Sequence, residues 1–295
     1  VLVFNGEIYN YQELKKELQE AGHTFVSNTD SETLIHGYEE WGESLVERLR
    51  GMYAFAIWDT RKKKLFAARD IFGIKPLYYA QMNGTLMFAS EIKAFMEHPK
   101  FDKVFNEDAL GNYLSFQFVP TNETFFKGVF CLQPGHYFTY ENGELNITRY
   151  FEPNFTGDTE KSFEEIVDDV EAVMKESVAM HKISDVEVAS YLSSGVDSSY
   201  LTYLGQVDRT FTVGFDEGKY SEIQDAKEFA ASINMKNDAK VITPEEYWDR
   251  LSDIQYYMDE PVADPAAIAL YFLSEEASKK VKVVLSGEGS DELFG

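Results

Sequence analysis

The second half of the chain alternates strand-like apolar runs with helical patterns, and this alternation most constrains its fold. The apolar runs are EVASYL, TFTVGF, DAKVIT and VKVVLS, and segments of helical periodicity precede and separate them. Strands that are apolar on both sides are typical of parallel sheets covered by helices on both faces. We therefore expect residues 160–295 to form an α/β domain with a doubly wound parallel sheet.

Two of these predicted strands run into loops of small and acidic residues, at 192–199 and 285–292. In doubly wound sheets ligands bind at the carboxyl ends of strands, where small residues and a helix N-terminus can hold a phosphate. Asp197 and Asp291 are placed to hold Mg²⁺ against that phosphate. Each loop alone also fits an ordinary turn, with Asp197 or Ser198 as a helix N-cap. The two loops together predict a nucleotide site.

The first half of the chain reads as a different structure. VLVF predicts a strand and two amphipathic helical patterns follow it. The short runs MYAFAIWD, KLFAARD, LYYAQ and TLMFAS, and then a second hairpin around ENG, are typical of antiparallel strands. We expect an α+β, antiparallel layered domain over residues 1–155. The polar, turn-rich stretch at 152–162 marks the boundary.

Composition excludes several classes of partner. The 27 Lys and Arg residues against 51 Asp and Glu give a net charge of −24, which argues against nucleic acid or an anionic membrane as a partner. No segment approaches the length of a membrane span. The single cysteine, Cys131, excludes an intrachain disulfide and predicts a cytoplasmic location.

At this point the chain resembles a known family. The S-x-G-V-D-S-S pattern from Ser193 is similar to the pyrophosphate-binding loop (PP-loop) of ATP pyrophosphatases, except for Ser194, where the commoner loop has Gly. LSGEGSDELFG resembles a stretch of the glutamine-dependent asparagine synthetases. NGEIYNY, SETLIHGYEEWG, GMYAFAIWD, RDIFGIKPLYY and ASEIKA resemble the glutaminase domain of the same family. The resemblance implies an N-terminal nucleophile-type amidotransferase domain followed by an ATP-pyrophosphatase domain.

The resemblance implies a reaction and its residues in the second domain. Aspartate would attack ATP to give β-aspartyl-adenylate and pyrophosphate, and ammonia from glutamine would then displace AMP to give asparagine. Mg²⁺ would lie on Asp197 and Asp291, and Glu288 and Glu292 would shape the aspartate end of the site. The pyrophosphate would contact Ser193, Gly195, Ser198 and Ser199, and the adenosine would contact Leu192, Val213, Ser286 and Gly287.

In the first domain the resemblance implies a glutamine site. Asn5 and Gly6 would form an oxyanion hole, and Glu7 and Asp30 would bind the amino end of glutamine. From the pattern alone, Asn-Gly following a strand is more often a hairpin turn, and Asp30 fits a helix N-cap equally well.

The family's nucleophile is an amino-terminal Cys, which Val1 cannot replace, and the apolar neighbours of Cys131 indicate a structural role for it. We therefore expect the chain to be an internal fragment, with the nucleophile upstream of Val1, no glutaminase activity by itself, and part of the synthetase domain beyond Gly295. A homodimer is one assembly that we consider. Two other functions stay open: a related ATP-dependent amide synthetase, and a short form that binds without catalysing.

Overall fold

The computed structural model describes residues 1–157, 160–215 and 222–294. The chain divides into two compact units, Val1–Thr156 and Gly157–Gly295. Positions 158–159, within the expected boundary, and Gly295, the expected end of the second domain, lie outside the described residues. Within those ranges, no helix combines the length and the apolar character that crossing a membrane requires.

The first unit consists of short strands and helices. Its strands are β1 (Leu2–Ile8), β2 (Gly51–Asp59), β3 (Lys64–Arg69), β4 (Tyr78–Met82), β5 (Thr85–Ala89), β6 (Val129–Cys131), β7 (His136–Glu141) and β8 (Glu144–Arg149). Its helices are α1 (Tyr11–Glu20), α2 (Asp30–Trp41) and α3 (Glu107–Phe116), with 3-10 helices at Gly42–Glu47 and Ile92–Glu97. The strands pair antiparallel in two sheets, ordered β1-β2-β3-β7-β8 and β5-β4-β6.

Side-chain alternation along β2 explains how these sheets and helices are layered. Tyr53 and Phe55 point into a core that includes buried residues of α1 and α2. Ala54 and Ala56, on the opposite face, pack in a second core with Tyr79 of β4. Since successive strand residues face opposite sides, the small alanines let the second sheet approach closely. The predicted antiparallel α+β layered fold is confirmed.

The second unit alternates helices with parallel strands. Its helices are α4 (Phe163–His181), α5 (Val196–Gly205), α6 (Glu222–Ser232), α7 (Pro244–Met258), α8 (Ala266–Ser278) and α9 (Ser290–Phe294). Its strands are β9 (Val188–Tyr191), β10 (Arg209–Phe215), β11 (Lys236–Ile242) and β12 (Val283–Leu285). They form one parallel sheet in the order β11-β10-β9-β12.

Helices cover both faces of this sheet. On one face, Ala189 and Phe211 pack with Ala277 of α8. On the other, Leu285 packs with Val178 of α4 and with α5, and α6 lies over the loop after β9. The predicted doubly wound parallel sheet is therefore confirmed.

The strand order also identifies where a ligand is expected. β9 is an inner strand, with β10 on one side and β12 on the other, so the direction of winding reverses between β9 and β12. The crevice at the carboxyl ends of such a pair is the usual binding site in doubly wound sheets. The two loops singled out in the sequence follow these two strands.

Candidate functional site

The Asn5-Gly6 pair lies inside a strand, so the expected hairpin turn after a strand is wrong. Gly6 pairs with Tyr53 in the antiparallel ladder of β1 and β2. Its φ is +150°, and a Cβ at this position would lie 2.1 Å from the carbonyl oxygen of Met52. Glycine is therefore needed for close approach between strands, which the local Asn-Gly pattern cannot distinguish from a turn.

Alternation along β1 leaves two side chains of the expected glutamine site accessible. Phe4 and Ile8 belong to the core beneath α1 and α2, whereas Asn5 and Glu7 are exposed between them. The Asn5 amide donates a long, 3.5 Å hydrogen bond to the Ser90 hydroxyl. This leaves the Asn5 amide available as a donor at the edge of the five-stranded sheet.

Asp30 is not the N-cap of α2. It is the first helical residue, and Thr29 occupies the cap position without a side-chain cap. The Asp30 carboxylate instead accepts a 3.0 Å hydrogen bond from the main-chain N–H of Ile8. This contact brings Asp30 to the end of β1, next to Glu7.

The charges around Glu7 form a small acidic site with one cation. Partial burial and the Asp30 charge raise the pKa of Glu7, and Lys75 opposes the shift. Burial, with the charges of Glu7 and Asp70, raises the pKa of Tyr9 to about 12. Two carboxylates and one lysine together suit a ligand that carries both an ammonium and a carboxylate group.

In the sequence analysis RDIFGIKPLYY served only for its family resemblance, and Lys75 was given no role. The buried Asp70 carboxylate accepts hydrogen bonds of 3.0–3.1 Å from the main-chain N–H groups of Tyr53, Phe72, Ile74 and Lys75. Arg69 donates to the carbonyl oxygens of Gly73, Lys75 and Leu132. The dense run of charged and small residues in RDIFGIK was the available signal.

In the second unit, the loop after β9 is ordered by its own serines. The main-chain N–H of Ser193 donates to the Ser198 hydroxyl at 3.1 Å, and the two hydroxyl groups are 2.9 Å apart. The N–H of Gly195 donates to the Ser193 hydroxyl at 3.1 Å. These contacts between the loop's own groups fix its shape.

The helix after this loop begins earlier than expected. Gly195 is the N-cap of α5, so Asp197 and Ser198 lie in its first turn and neither caps it. The N–H of Ser199 already bonds to the Gly195 carbonyl, whereas the first-turn N–H groups before it have no intrahelical acceptor and attract anions. Ser194 is not among the residues with positive φ, so its backbone does not require glycine.

The loop after β12 meets the loop after β9. A Cβ on Gly287 would lie 3.2 Å from the main-chain nitrogen of Ser198. Upstream, the Ser190 hydroxyl lies 3.5 Å from the Leu285 carbonyl oxygen. The expected phosphate-binding residues Ser193, Gly195, Ser198 and Ser199 and the expected adenosine-binding residues Ser286 and Gly287 therefore share one edge of the sheet.

The other two expected adenosine contacts are more enclosed. Leu192 is 3% exposed and packs with Ala226 and Ala230, and its N–H and C=O already bond to the Phe211 carbonyl and the Thr212 hydroxyl. Val213 lies on β10 and packs beside Ile242. The Leu192 side chain thus contributes to the core beneath the loop.

The acidic residues of the two loops are candidate magnesium ligands. Asp197, Glu288, Asp291 and Glu292 are all exposed, and neither aspartate has a hydrogen-bond or ion-pair partner among the described residues. Two carboxylates on adjoining loops fit Mg²⁺, which commonly takes one or two carboxylates and completes its shell with water and phosphate oxygens. The donor set is suitable for Mg²⁺ held together with a nucleotide.

A second set of ligating side chains was missed by sequence reasoning. The histidines show no recognisable spacing in the sequence, yet the fold brings His23 and His36 together with Glu39. His23 lies between α1 and α2, and the other two residues lie on α2. No local sequence signal indicates this contact, because it depends on how the connecting segment folds back.

Comparison with known proteins assigns both units. Residues 1–151 match the glutamine amidotransferase domain family, and residues 169–295 match the asparagine synthase family. These matches agree with the two expected fold classes, an N-terminal nucleophile-type amidotransferase and an ATP pyrophosphatase of the PP-loop type.

Relatives show the same two-part organisation. Glutamine-hydrolysing asparagine synthetase 1 of Bacillus subtilis is 44% identical over 100% of this chain and 47% of its own length. A putative glutamine-hydrolysing asparagine synthetase of Mycobacterium tuberculosis H37Rv has the same identity and coverage, 44%, 100% and 47%. The solved glutamine phosphoribosylpyrophosphate amidotransferase of B. subtilis aligns with 81% of this chain and 45% of its own at 18% identity, with a TM-score of 0.37 that supports no further comparison.

The chain spans about half the length of the curated relatives that it matches. Both of its units nevertheless match a family, the first the glutamine amidotransferase domain and the second asparagine synthase. The chain belongs to the family of glutamine-hydrolysing asparagine synthetases.

Proposed function

We propose that the protein containing this chain makes L-asparagine from L-aspartate, ATP and glutamine. The observation that carries the proposal is the contact between Gly287 and Ser198, which joins the serine-rich loop and the acidic loop at the switch point of a parallel sheet. This arrangement suits a nucleoside triphosphate and its counter-ion.

The first half-reaction is adenylation. An oxygen of the aspartate β-carboxylate attacks the α-phosphorus of ATP, and the bond to pyrophosphate breaks. Ser193, Gly195, Ser198 and Ser199 hold the departing pyrophosphate through hydroxyl and main-chain N–H groups. The adenosine lies against Val213, Ser286 and Gly287 and against the backbone near Leu192. Because these groups are fixed beforehand, they need little reorganisation as charge develops.

Magnesium would be held by Asp197 and Asp291. When bound, it supplies positive charge that neutralises the pyrophosphate oxygens. The two carboxylates position it at the junction of the loops, in a chain whose net charge of −24 would otherwise repel ATP. Glu288 and Glu292 face the same edge and would orient the ammonium group of aspartate.

The second half-reaction uses ammonia. Its nitrogen attacks the acyl carbon of β-aspartyl-adenylate, the bond to AMP breaks and one proton leaves. Glutamine hydrolysis supplies the ammonia in the first unit, where Asn5 and Gly6 donate to the developing oxyanion. Glu7 and Asp30 bind the ammonium group of glutamine, and Lys75 is suited to its α-carboxylate.

The thiol nucleophile is not provided by Cys131. This residue lies on β6 of the three-stranded sheet, and its Sγ accepts a hydrogen bond from Arg69. The glutamine-binding residues lie on β1 of the other sheet. We therefore propose that glutaminase activity belongs to the whole protein and uses a thiol other than Cys131.

We also propose a cytoplasmic location and a homodimer. A single cysteine and no disulfide suit a reducing compartment. The mass of the native particle, from light scattering, tests the dimer.

The function is tested with the native protein from its source, after its intact mass and amino-terminal residue are determined. Release of AMP should require aspartate, and asparagine should form with either glutamine or ammonia. Pyrophosphate exchange that depends on another carboxylate would instead indicate a related amide synthetase. Nucleotide binding without turnover would indicate a non-catalytic form.

A further inference from the structure

Three potential metal ligands converge beside α2, and none of them is among the residues proposed to bind glutamine. The Nδ1 atoms of His23 and His36 are 3.2 Å apart. The Glu39 Oε2 atom lies 3.2 Å from the His36 Nδ1 and 3.9 Å from the His23 Nδ1. Bonds of 2.0–2.2 Å in a tetrahedral zinc site place neighbouring ligand atoms about 3.3–3.6 Å apart. The three observed separations bracket this range.

The remaining ring nitrogens contact carboxylates. The His23 Nε2 is 3.1 Å from Glu40 Oε2, and the His36 Nε2 is 3.5 Å from Glu32 Oε1. A carboxylate only accepts hydrogen bonds, so the 3.1 Å contact with Glu40 assigns a hydrogen to the His23 Nε2. The His23 Nδ1 then presents a lone pair, which is the arrangement in which a second carboxylate orients a metal-bound histidine.

A positive charge at the centre of this arrangement would satisfy its acceptors together. With both Nε2 atoms protonated, two lone pairs and the Glu39 carboxylate face one another. If the hydrogen of a neutral His36 were on Nδ1, it could be donated to Glu39. The lone pair of the His36 Nε2 would then face the Glu32 carboxylate. A neutral His36 therefore cannot satisfy both carboxylates, whereas a cation at Nδ1 satisfies them together.

The surroundings hold the histidines in place and leave one side open. The side chains of His23 and His36 are 16% and 17% exposed, and that of Glu39 is 54% exposed. The Phe25 ring packs on the His36 ring with centroids 4.6 Å apart. Glu32 is fixed by main-chain N–H groups of Val26 and Ser27 at 2.8 and 2.7 Å. An ion would enter past Glu39.

We propose that His23, His36 and Glu39 bind one zinc-class divalent ion, with water at the remaining position. Two imidazoles and a carboxylate suit zinc better than magnesium or calcium. The ion would tie the segment between α1 and α2 to α2, the helix whose first residue is Asp30. The site is separate from the magnesium site proposed for the nucleotide.

The test is a zinc titration of the full chain without an affinity tag, after chelator treatment, in competition with a chromophoric zinc indicator. One equivalent should bind, and Co²⁺ in its place should give the visible absorption of a tetrahedral centre. His23→Gln and His36→Gln should each weaken binding by at least about tenfold. His136→Gln, at a histidine outside the cluster, should leave the affinity unchanged.

Glu39→Gln keeps the test valid if a histidine variant fails to fold, because Glu39 is largely exposed. It too should weaken zinc binding while the circular dichroism spectrum stays the same. Absence of stoichiometric uptake would overturn the proposal. Uptake that survives in the double histidine variant would overturn it as well.

Discussion

The main-chain N–H of Ile8 donates a 3.0 Å hydrogen bond to the carboxylate of Asp30. It joins the last residue of β1 to the first residue of α2. Because Ile8 is 1% exposed, water cannot readily replace the acceptor. The same carboxylate is one of the two proposed for the ammonium group of glutamine, so structure and binding are coupled at Asp30.

Asp30→Ala should therefore lower both stability and glutamine affinity. A buried N–H left without an acceptor costs about 1–3 kcal/mol, which urea denaturation would measure. Asp30→Asn retains an acceptor oxygen and should preserve most of the stability while still weakening glutamine binding. Equal stability loss in both variants would contradict this account of the hydrogen bond.

Gly6→Ala should destabilise the first unit. Its Cβ would overlap the Met52 carbonyl, 2.1 Å away, at a φ of +150°. Backbone strain and overpacking of this kind cost about 1–3 kcal/mol. The matched control is Gly111→Ala in α3, where no atom lies within 4 Å and alanine should stabilise by about 0.5–1 kcal/mol. If both variants unfolded at similar temperatures, the close approach of Gly6 to the Met52 carbonyl would be ruled out.

As the pH falls, glutamine binding should begin to weaken at a higher pH than it would if Glu7 had the pKa of an ordinary glutamate. Partial burial and Asp30 raise the pKa of Glu7 above 4.5, and only the ionised form attracts the ammonium of glutamine. The KM for glutamine of the whole protein, measured from about pH 8 to about pH 5, should rise as Glu7 becomes protonated. In Glu7→Gln the KM should be high throughout and lose this dependence.

The raised pKa of Glu7 also affects stability, but lowering the pH changes stability in the opposite direction to glutamine binding. Since the fold raises this pKa, ionised Glu7 opposes folding at neutral pH, and that cost disappears below the ordinary pKa of a glutamate. Glu7→Gln should therefore be more stable than the parent protein near neutral pH and no more stable in acid. A parent protein that gained stability on ionising Glu7 would contradict the raised pKa.

Gly287→Ala should impair the nucleotide site more than the fold. Its Cβ would lie 3.2 Å from the Ser198 nitrogen, so one loop must shift by a few tenths of an ångström. We expect about tenfold lower kcat/KM for ATP in pyrophosphate exchange, because small displacements at a reacting centre are costly. Gly157→Ala, with no atom within 4 Å of the new Cβ, should retain full activity. An unchanged rate of pyrophosphate exchange in Gly287→Ala would show that this loop contact does not contribute to catalysis.

Much of the fold follows from periodicity. β9 and β12 contribute side chains to the cores on both faces of their sheet, which is why EVASYL and VKVVLS read as continuous apolar runs. The layering of the first unit was harder to predict. Alternation at Tyr53 and Ala54 indicates that both faces of β2 are buried, but it does not show that a second sheet covers one of them.

The candidate sites also differ in how far the sequence predicts them. The closeness of the two loops was predictable, because both follow strands of one parallel sheet and the carboxyl ends of such strands lie at the same edge. Gly6 was not, since the atom that requires glycine, the Met52 carbonyl oxygen, comes from the neighbouring strand. The contact between His23 and His36 depends on an irregular segment, for which sequence offers no periodicity.

The position of β12 also sets the order in which the second unit can form during synthesis. β9 ends at Tyr191 and β12 begins at Val283, about 90 residues later. At ribosomal rates of roughly 5–20 residues per second, β12 emerges about 5–20 s after β9. Throughout that interval one edge of β9 lacks its partner and is open to wrong pairing. β12 thus closes the open edge of β9 in the same step that brings the loop after β12 to the loop after β9.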